Sequence, residues 1–438
     1  MPSIQHIYFM GNGGISMSGL AHIMHASGYT VSGSDRQTNE QTQKLTQLGL
    51  HINTTQVPDN ISQAIDLIVY TAAIHPDHPE YLRAQVLGIP MWSRAKLLGH
   101  IISHYRHAIC IAGTHGKTTT TSMTAHLLMS LGITPTVSVG AHLPLIGGNF
   151  LLGDSDYFVV ESCEYNDSFL AFKPQIGVIL NLEFDHPDHF KDLADMEKSF
   201  QTFANNVKGF LIVNKNIHNY QAIVNNTNAT VLTFGEKNAD FSYDEVTAGH
   251  FTFNGHPYQL PVIGKHNVEN ATAALASLHA VGLDEKKASF DNYNNPKRRL
   301  ELKGHTLSGA LILDDYAHHP TEIRATLAAV KARYPDKTIH CLFQPHTFSR
   351  TLGLLNEFAV AFGDSETTYL LDIYGARETS GNIHTKDLQH LITNTQTKYF
   401  GSFQEAQDFF EKKLSKDDLL ITMGATNVNT IGEFLIKK

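Results

Sequence analysis

The apolar run Ala108-Ile109-Cys110-Ile111-Ala112 stops at Gly113, and Gly116, Lys117 and four consecutive threonines follow. This is the pattern of a buried strand, a tight glycine turn and a helix start. Such a turn aims backbone N–H groups at a phosphate, Lys117 adds a positive charge, and Thr118 offers a hydroxyl to Mg²⁺. The usual P-loop, G-x-x-x-x-G-K-[ST], asks for glycine at 111, where this chain has Ile111. The shorter Gly113-Thr114-His115-Gly116-Lys117-Thr118 form, with Thr119 behind it, predicts a protein that uses ATP.

At 438 residues the chain has room for about three domains of ~150 residues each. Its formal net charge is −9, and no Lys/Arg cluster resembles a nucleic-acid footprint. Small anionic ligands held at local basic spots are the simpler expectation. The three cysteines, Cys110, Cys163 and Cys341, are far apart and sit in apolar or strand-like settings. That spacing argues against a disulfide framework and for a reducing cytoplasm. The N-terminus lacks a basic, then apolar, signal pattern. No stretch of ~20 apolar residues could span a bilayer.

Apolar runs alternate with helical patterns along the whole chain. Ile7–Met10, Tyr29–Ser32 and Leu67–Tyr70 read as strands of a small first unit. Tyr157–Val160, Ile176–Leu180 and Phe210–Val213 are continuous apolar runs, as in a parallel sheet buried on both faces. Residues 238–262 shift to Phe/Tyr/Thr alternation around Asn254-Gly255, which predicts a hairpin. The Ala-rich stretch from Asn270 to Ala280 predicts a helix. Further strands are expected at Ala310–Leu313, Thr338–Phe343, Thr368–Leu371 and Leu419–Met423, with a helix over 320–333. The fold expected is α/β with three domains. They are a Rossmann-like domain at 1–106, a central P-loop ATPase-like domain with a parallel or mixed sheet at 107–300, and a second Rossmann-like domain at 301–438.

Other polar clusters fall at strand ends. Gly11-x-Gly13-Gly14-x-Ser16 lies between a strand and a helix, and Asp35 ends the next strand. Taken alone, this predicts a nucleotide diphosphate at the helix N-terminus with the acid on a ribose. Glu161 and Glu164 follow the Tyr157–Val160 strand, where Mg²⁺ is commonly met. Asn181-Leu182-Glu183-Phe184-Asp185-His186 ends another strand, and His186 could bind a second cation or orient a carboxylate. Zinc is weighed there, but no cysteine joins the cluster. Asn267 and Asn270 could cap the Ala-rich helix or bond an adenine edge. Lys297-Arg298-Arg299 is either a solvated linker or an arginine delivered to a phosphate. Asp314–Pro320, Phe343–Arg350 and Asp372–Glu378 read as polar loops opening into helices, where His346, Arg350 and Arg377 could hold a small carboxylate or amine.

Together these motifs resemble the Mur ligases of peptidoglycan synthesis. Gly113–Thr119, Glu161-Ser162-Cys163-Glu164, Asn181-x-Glu183-x-Asp185-His186, His266-Asn267-x-x-Asn270, Arg298-Arg299 and Asp315-Tyr316-Ala317-His318-x-Pro320 occur in that family's order. The likeness covers essentially the whole chain, and the Gly11 turn and the Phe343-Gln344-Pro345-His346 loop look like the branch that adds L-alanine. Ile111 in the first P-loop position is what the family shows. The resemblance implies an ADP-forming ligase that phosphorylates the lactyl carboxylate of UDP-N-acetylmuramate and couples the acyl phosphate to L-alanine. It implies ATP and Mg²⁺. Lys117 would meet the ATP phosphates, Thr118 and Glu164 one Mg²⁺, and His186 a second. Asn270, Arg299 and Asp315 would hold ATP. Gly11, Asn12, Gly13, Gly14, Ile15, Ser16, Asp35, Thr71 and His115 would face the UDP-sugar, with His115 also in the ATP loop. His346, Arg350 and Arg377 would meet the amino acid. Lys117, Glu164, His186, Arg299 and His346 would carry the catalysis. No membrane insertion is expected, and the enzyme would act in the cytoplasm as a monomer or homodimer. The other readings are an NAD dehydrogenase, a recycling ligase that adds a ready-made tripeptide, and a nucleotide sensor without catalysis.

Overall fold

A computed structural model describes residues 4–247, 249–376 and 378–436. The chain forms three sheets in series. The first has five parallel strands in the order His51–Asn53, Thr30–Ser34, His6–Met10, Leu67–Tyr70, Met91–Ser93. Its central strand is an unbroken apolar run with Ile7 and Phe9 fully buried, because helices cover both faces. The second strand continues through Ser34, two residues beyond its apolar part, since its backbone pairs with both neighbours there.

The second sheet has ten strands. Tyr157–Glu161, His107–Ala112, Ile176–Ile179, Phe210–Asn214 and Thr230–Gly235 form its parallel centre. Two antiparallel excursions flank it. On one side Phe241–Thr247, His250–Phe253 and His256–Gln259 make the expected hairpin, extended by one strand. Its Asn254-Gly255 turn has both residues at positive φ, 47° and 76°, which matches strand twist. On the other side Thr136–Leu143 and Gly148–Leu151 pair, a hairpin without a clear apolar signal. The Ala-rich helix begins earlier than the sequence suggests, at Lys265, and runs to Ala280.

The third sheet has six strands, ordered Glu301–His305, Leu311–Asp315, Asp418–Met423, Thr338–Phe343, Thr367–Leu370, Gln396–Tyr399. All neighbours are parallel except the first pair. Two corrections belong here. Asp314 and Asp315 lie inside a strand rather than in the loop after it, and Asp314 accepts a hydrogen bond from the Thr422 hydroxyl on the neighbouring strand. Glu301–His305 is a strand although its residues are mostly polar, because it is a half-exposed edge.

Two features set the domain geometry. Gly99, in the Arg94–Ile102 helix, lets the first unit lie directly on the central one, where a Cβ would collide with the Ala171 carbonyl. The passage into the third unit is bent at Arg298 and Leu300, both left-handed at φ 62° and 48°. Arg298 is anchored there by Asp314 (2.9 Å) and by the carbonyls of Thr426 (2.6 Å) and Gly424 (2.8 Å). The carboxyl ends of the central parallel strands therefore face the carboxyl ends of the third sheet's strands, the side where open α/β sheets bind ligands.

Candidate active site

The phosphate turn is built by two glycines and one asparagine. Gly113 and Gly116 stand at φ 141° and 81°. A side chain at Gly116 would also strike Asn270 Oδ1, which accepts the Thr120 hydroxyl at 3.2 Å. Asn181 clamps the turn by accepting the His115 N–H (2.7 Å) and donating to the His115 carbonyl (3.0 Å). Thr114 Oγ1 is bonded to both the N–H and the carbonyl of Glu183, each at 3.0 Å. The Lys117–Ser130 helix starts with no side-chain cap, so its first N–H groups remain available to an anion.

Lys117 folds over this turn. Its ammonium donates to the carbonyls of Gly113 and Thr114 and to both oxygens of Glu164, at 3.0 and 2.8 Å. Burial opposes its charge, yet the Glu164 carboxylate outweighs this and holds the ammonium above its ordinary pKa. Glu164 is fully buried; burial works against its charge, but Lys117 and His186 keep its pKa low. His186, at φ 55°, turns its Nε2 to 3.6 Å from Glu164. The Thr118 hydroxyl donates to Glu161 Oε1 (3.0 Å). Thr118, Glu161, Glu164 and His186 thus gather at the mouth of the turn. Three oxygen side chains and one imidazole fit a hard dication that keeps several waters.

A cleft opens beside the turn. It is lined by His115, Gly116, Thr119, His266, Asn267, Asn270, Asn295, Arg299, Asp315 and Glu322. The Asn295 Oδ1 is buried there without a partner, an acceptor suited to a base amino group. Asn270 reaches this cleft, but neither it nor Asn267 caps the helix; the N-cap is Gly264. Arg299 bridges the domains. It lies over the Tyr316 ring and brings Nη2 to 3.5 Å from the Thr118 hydroxyl. Asp315 accepts N–H bonds from Leu300 and Ala317, both 2.7 Å, and burial pushes its carboxyl up to about 7 despite Arg299. His115 sits between Glu183 (3.4 Å) and Glu322 (3.3 Å). Burial disfavours its charge, but the two carboxylates raise it to about 9.

A second cleft lies across His186 and is lined by Tyr165, Asp188, His346, Thr347 and Arg350. The sequence places Arg350 against the amino acid. In the structure it donates Nε (2.7 Å) and Nη2 (3.3 Å) to Asp185, and Nη1 to the His346 carbonyl (3.0 Å) and His346 Nδ1 (3.1 Å). Burial opposes the Asp185 charge, but Arg350 more than offsets this and holds its carboxyl far below the usual range. This arginine ties the third unit to the central one. Burial, helped by Arg350, lowers His346 to about 4. Arg377 lies outside the described residues.

The Gly11 turn is closed by its own neighbours. Gly11 and Asn12 N–H groups donate to the Ser34 carbonyl, and Gly13 N–H donates to Asp35 Oδ2 at 2.8 Å. Asp35 therefore braces the turn, where the sequence placed it on a ribose. Asn12 is fully buried with neither side-chain polar atom partnered. Thr71 packs so close that a Cβ at Gly11 would lie 2.7 Å from its methyl. Gly14 caps the Ile15–Ala26 helix, Ile15 is exposed, and the Ser16 hydroxyl accepts from Arg94 (3.0 Å).

Arg94, Glu322, Thr321 and His319 escaped the sequence reading. Only Glu322 left a signal, the His319-Pro320-Thr321-Glu322 capping box at the start of the Pro320–Arg333 helix.

Residues 6–106 match the Mur ligase family, catalytic domain; residues 111–278 match the Mur ligase middle domain; residues 298–426 match the Mur ligase, glutamate ligase domain. The chain belongs to the Mur ligase family. Among Mur ligases it is 45% identical to the UDP-N-acetylmuramate–L-alanine ligase of Agathobacter rectalis, covering 99% of this chain and 98% of that protein. The ligase of the same name from Lachnospira eligens is 44% identical over 99% and 98%. The crystal structure of the UDP-N-acetylmuramate–alanine ligase MurC from Thermotoga maritima is similar at a TM-score of 0.79 and 25% identity, covering 99% and 98%. A murein peptide ligase from Psychrobacter arcticus shares the fold at a TM-score of 0.70 and 22% identity.

Proposed function

We propose that this Mur ligase joins L-alanine to the lactyl carboxylate of UDP-N-acetylmuramate, with ATP giving ADP and phosphate. The observation that carries the reading is the placement of the Lys117–Glu164–His186 group between two clefts. One suits a nucleotide and the other is lined by His346 and Arg350. Full-length identity of 45% to a ligase of that name supports the same substrates. The domains we assign are 1–106 for the UDP-sugar, 107–300 for ATP, and 301–438 for the amino acid and for closure.

The carboxylate oxygen attacks the γ-phosphorus of ATP, ADP leaves, and an acyl phosphate forms. The alanine amine then adds to the carbonyl carbon, the amine loses a proton, and phosphate departs. Phosphoryl transfer of this kind depends on placement and charge neutralisation. Lys117 and the Gly113–Thr118 N–H groups hold the phosphates, and Arg299 adds charge from the domain boundary. Thr118, Glu161, Glu164 and His186 would hold magnesium, which when bound supplies positive charge against the phosphate oxygens. His346, neutral because its pKa is low, accepts an N–H from Arg350 at Nδ1 (3.1 Å), so its Nε2 carries the ring proton and can donate to the carboxylate of the amino acid. Asn295 and Asn270 line the base side of the ATP cleft. Gly11 to Ser16 and Arg94 support a diphosphate at the first helix, and Arg94 supplies the cation that the glycine turn lacks.

We assign the enzyme to act as a monomer or homodimer. No described helix is long and apolar enough to cross a membrane. The described cysteines are free, which suits the cytoplasm.

Phosphate release in the presence of ATP, Mg²⁺ and UDP-N-acetylmuramate tests the reading. Release should rise on adding L-alanine and stay low with a preformed tripeptide. Release driven by the tripeptide, and not by alanine, would favour the recycling ligase.

A further inference from the structure

We propose that His115, Glu183 and His319 form a binding site for a zinc-class transition-metal ion, separate from the magnesium-holding groups. His115 Nε2 lies 3.4 Å from Glu183 Oε2, and His319 Nδ1 lies 3.7 Å from the same oxygen. All three ligand atoms fall within 4.8 Å of one another. Metal–ligand bonds of about 2.0–2.1 Å in tetrahedral geometry require ligand atoms roughly 3.3 Å apart. The first two separations are already near that value, so small side-chain rotations complete the set.

The far side of each ring supports the assignment. A metal-binding histidine is oriented by giving its other N–H to a carboxylate or carbonyl. His115 Nδ1 faces Glu322 Oε1 at 3.3 Å, and His319 Nε2 faces the Phe184 carbonyl at 3.3 Å. Both protons are thereby anchored away from Glu183. A metal would displace the second proton that the carboxylates hold on His115, as metal binding to histidine does, and the near nitrogens would then present lone pairs to one point. His115 Nε2 is buried and has no hydrogen-bond partner. The His319 Nδ1 accepts a long 3.3 Å N–H from Thr321 within the helix capping box, contacts that a metal would replace. Thr321 Oγ1 holds the Glu183 carboxylate at 2.6 Å. Glu183 is 41% exposed, which leaves an entry path and an open coordination position.

Two imidazoles and one carboxylate suit zinc, cobalt or nickel better than magnesium. The ligands come from the phosphate turn, the end of a central strand, and the start of a helix in the third domain. A bound ion would therefore bolt the third domain onto the central one at the wall of the ATP cleft. That geometry makes the site inhibitory, since closure could no longer be released between turnovers.

Cobalt titration of the full chain in excess magnesium tests this. One equivalent of Co²⁺ should produce the intense visible absorption of a four- or five-coordinate site, and zinc should displace it. The melting temperature should rise with the metal. His319→Gln should abolish the absorption. Glu322→Gln should weaken binding about 10- to 100-fold. Glu164→Gln, which alters a magnesium-holding group, should leave the absorption unchanged. His319→Cys should restore binding and add a sulfur-to-cobalt band in the near ultraviolet, which guards against a folding defect in the glutamine variant. The proposal is overturned by absorption that survives His319→Gln, by absorption lost in Glu164→Gln, or by no stoichiometric binding in the presence of magnesium.

Discussion

Lys117 is the side chain on which the chemistry turns. Its ammonium is held by two turn carbonyls and Glu164, which fix the charge at the phosphate turn. Lys117→Ala should cut kcat about 10²- to 10³-fold, the scale of losing one preorganised charge-stabilising donor. Undiminished single-turnover phosphate release would contradict that role. Asp315 gives a second test at this scale. Its carboxyl is raised from 3.8 to about 7, so the folded state holds its proton more tightly than the unfolded chain does. The stabilisation is complete below about pH 4 and is lost as pH rises through about 7. Asp315→Asn should therefore flatten the fall in stability of the free enzyme between those values, as read by urea melts across pH. Lys117 was legible because Gly-Lys-Thr after an apolar strand has a local physical meaning. Arg350 was visible only as a charge. Its engagement with Asp185 depends on how two distant segments meet, which no local pattern encodes.

Among the elements, the strand–turn–helix at 107–130 was the most readable, because the apolar run, the glycines and the helix start agree with one another. Gly116→Ala tests how strictly the turn demands glycine. The left-handed backbone alone costs about 1–2 kcal/mol, and the added methyl meets Asn270. Calorimetry should show lowered stability and weakened ATP binding together; unchanged ATP affinity would mean that the turn tolerates a rebuilt backbone. The strands buried on both faces announced themselves as continuous apolar runs. Gly148–Leu151 and Glu301–His305 did not, since edge strands mix exposed polar residues with few apolar ones, and Thr136–Leu143, though paired on both sides, ends in a half-exposed stretch around residues 140–142. The Gly11 turn was found from its spacing. The bracing role of Asp35 was not, because a strand-end acid looks the same whether it holds a ligand or its own loop.

At the scale of the molecule, the third domain is drawn onto the central one by polar contacts that include Arg350 with Asp185, Thr321 with Glu183, Glu322 with His115, and His319 with the Phe184 carbonyl. The first is buried on both sides, so removing one partner strands a charge at a cost of about 3–5 kcal/mol. Arg350→Ala and Asp185→Asn should each enlarge the radius of gyration in solution scattering and lower kcat/KM. An unchanged scattering profile would show that the closed arrangement does not depend on this pair. The three-domain plan could be read from the alternation of strands and helices, whereas the contacts that close the domains could not. The central claim is that a carboxylate is activated by phosphorylation at the Lys117 turn. UDP-N-acetylmuramate labelled with ¹⁸O in its lactyl carboxylate, turned over with ATP and L-alanine, tests it most directly by ³¹P NMR of the released phosphate. One ¹⁸O atom should appear in that phosphate; phosphate free of the label would contradict the account.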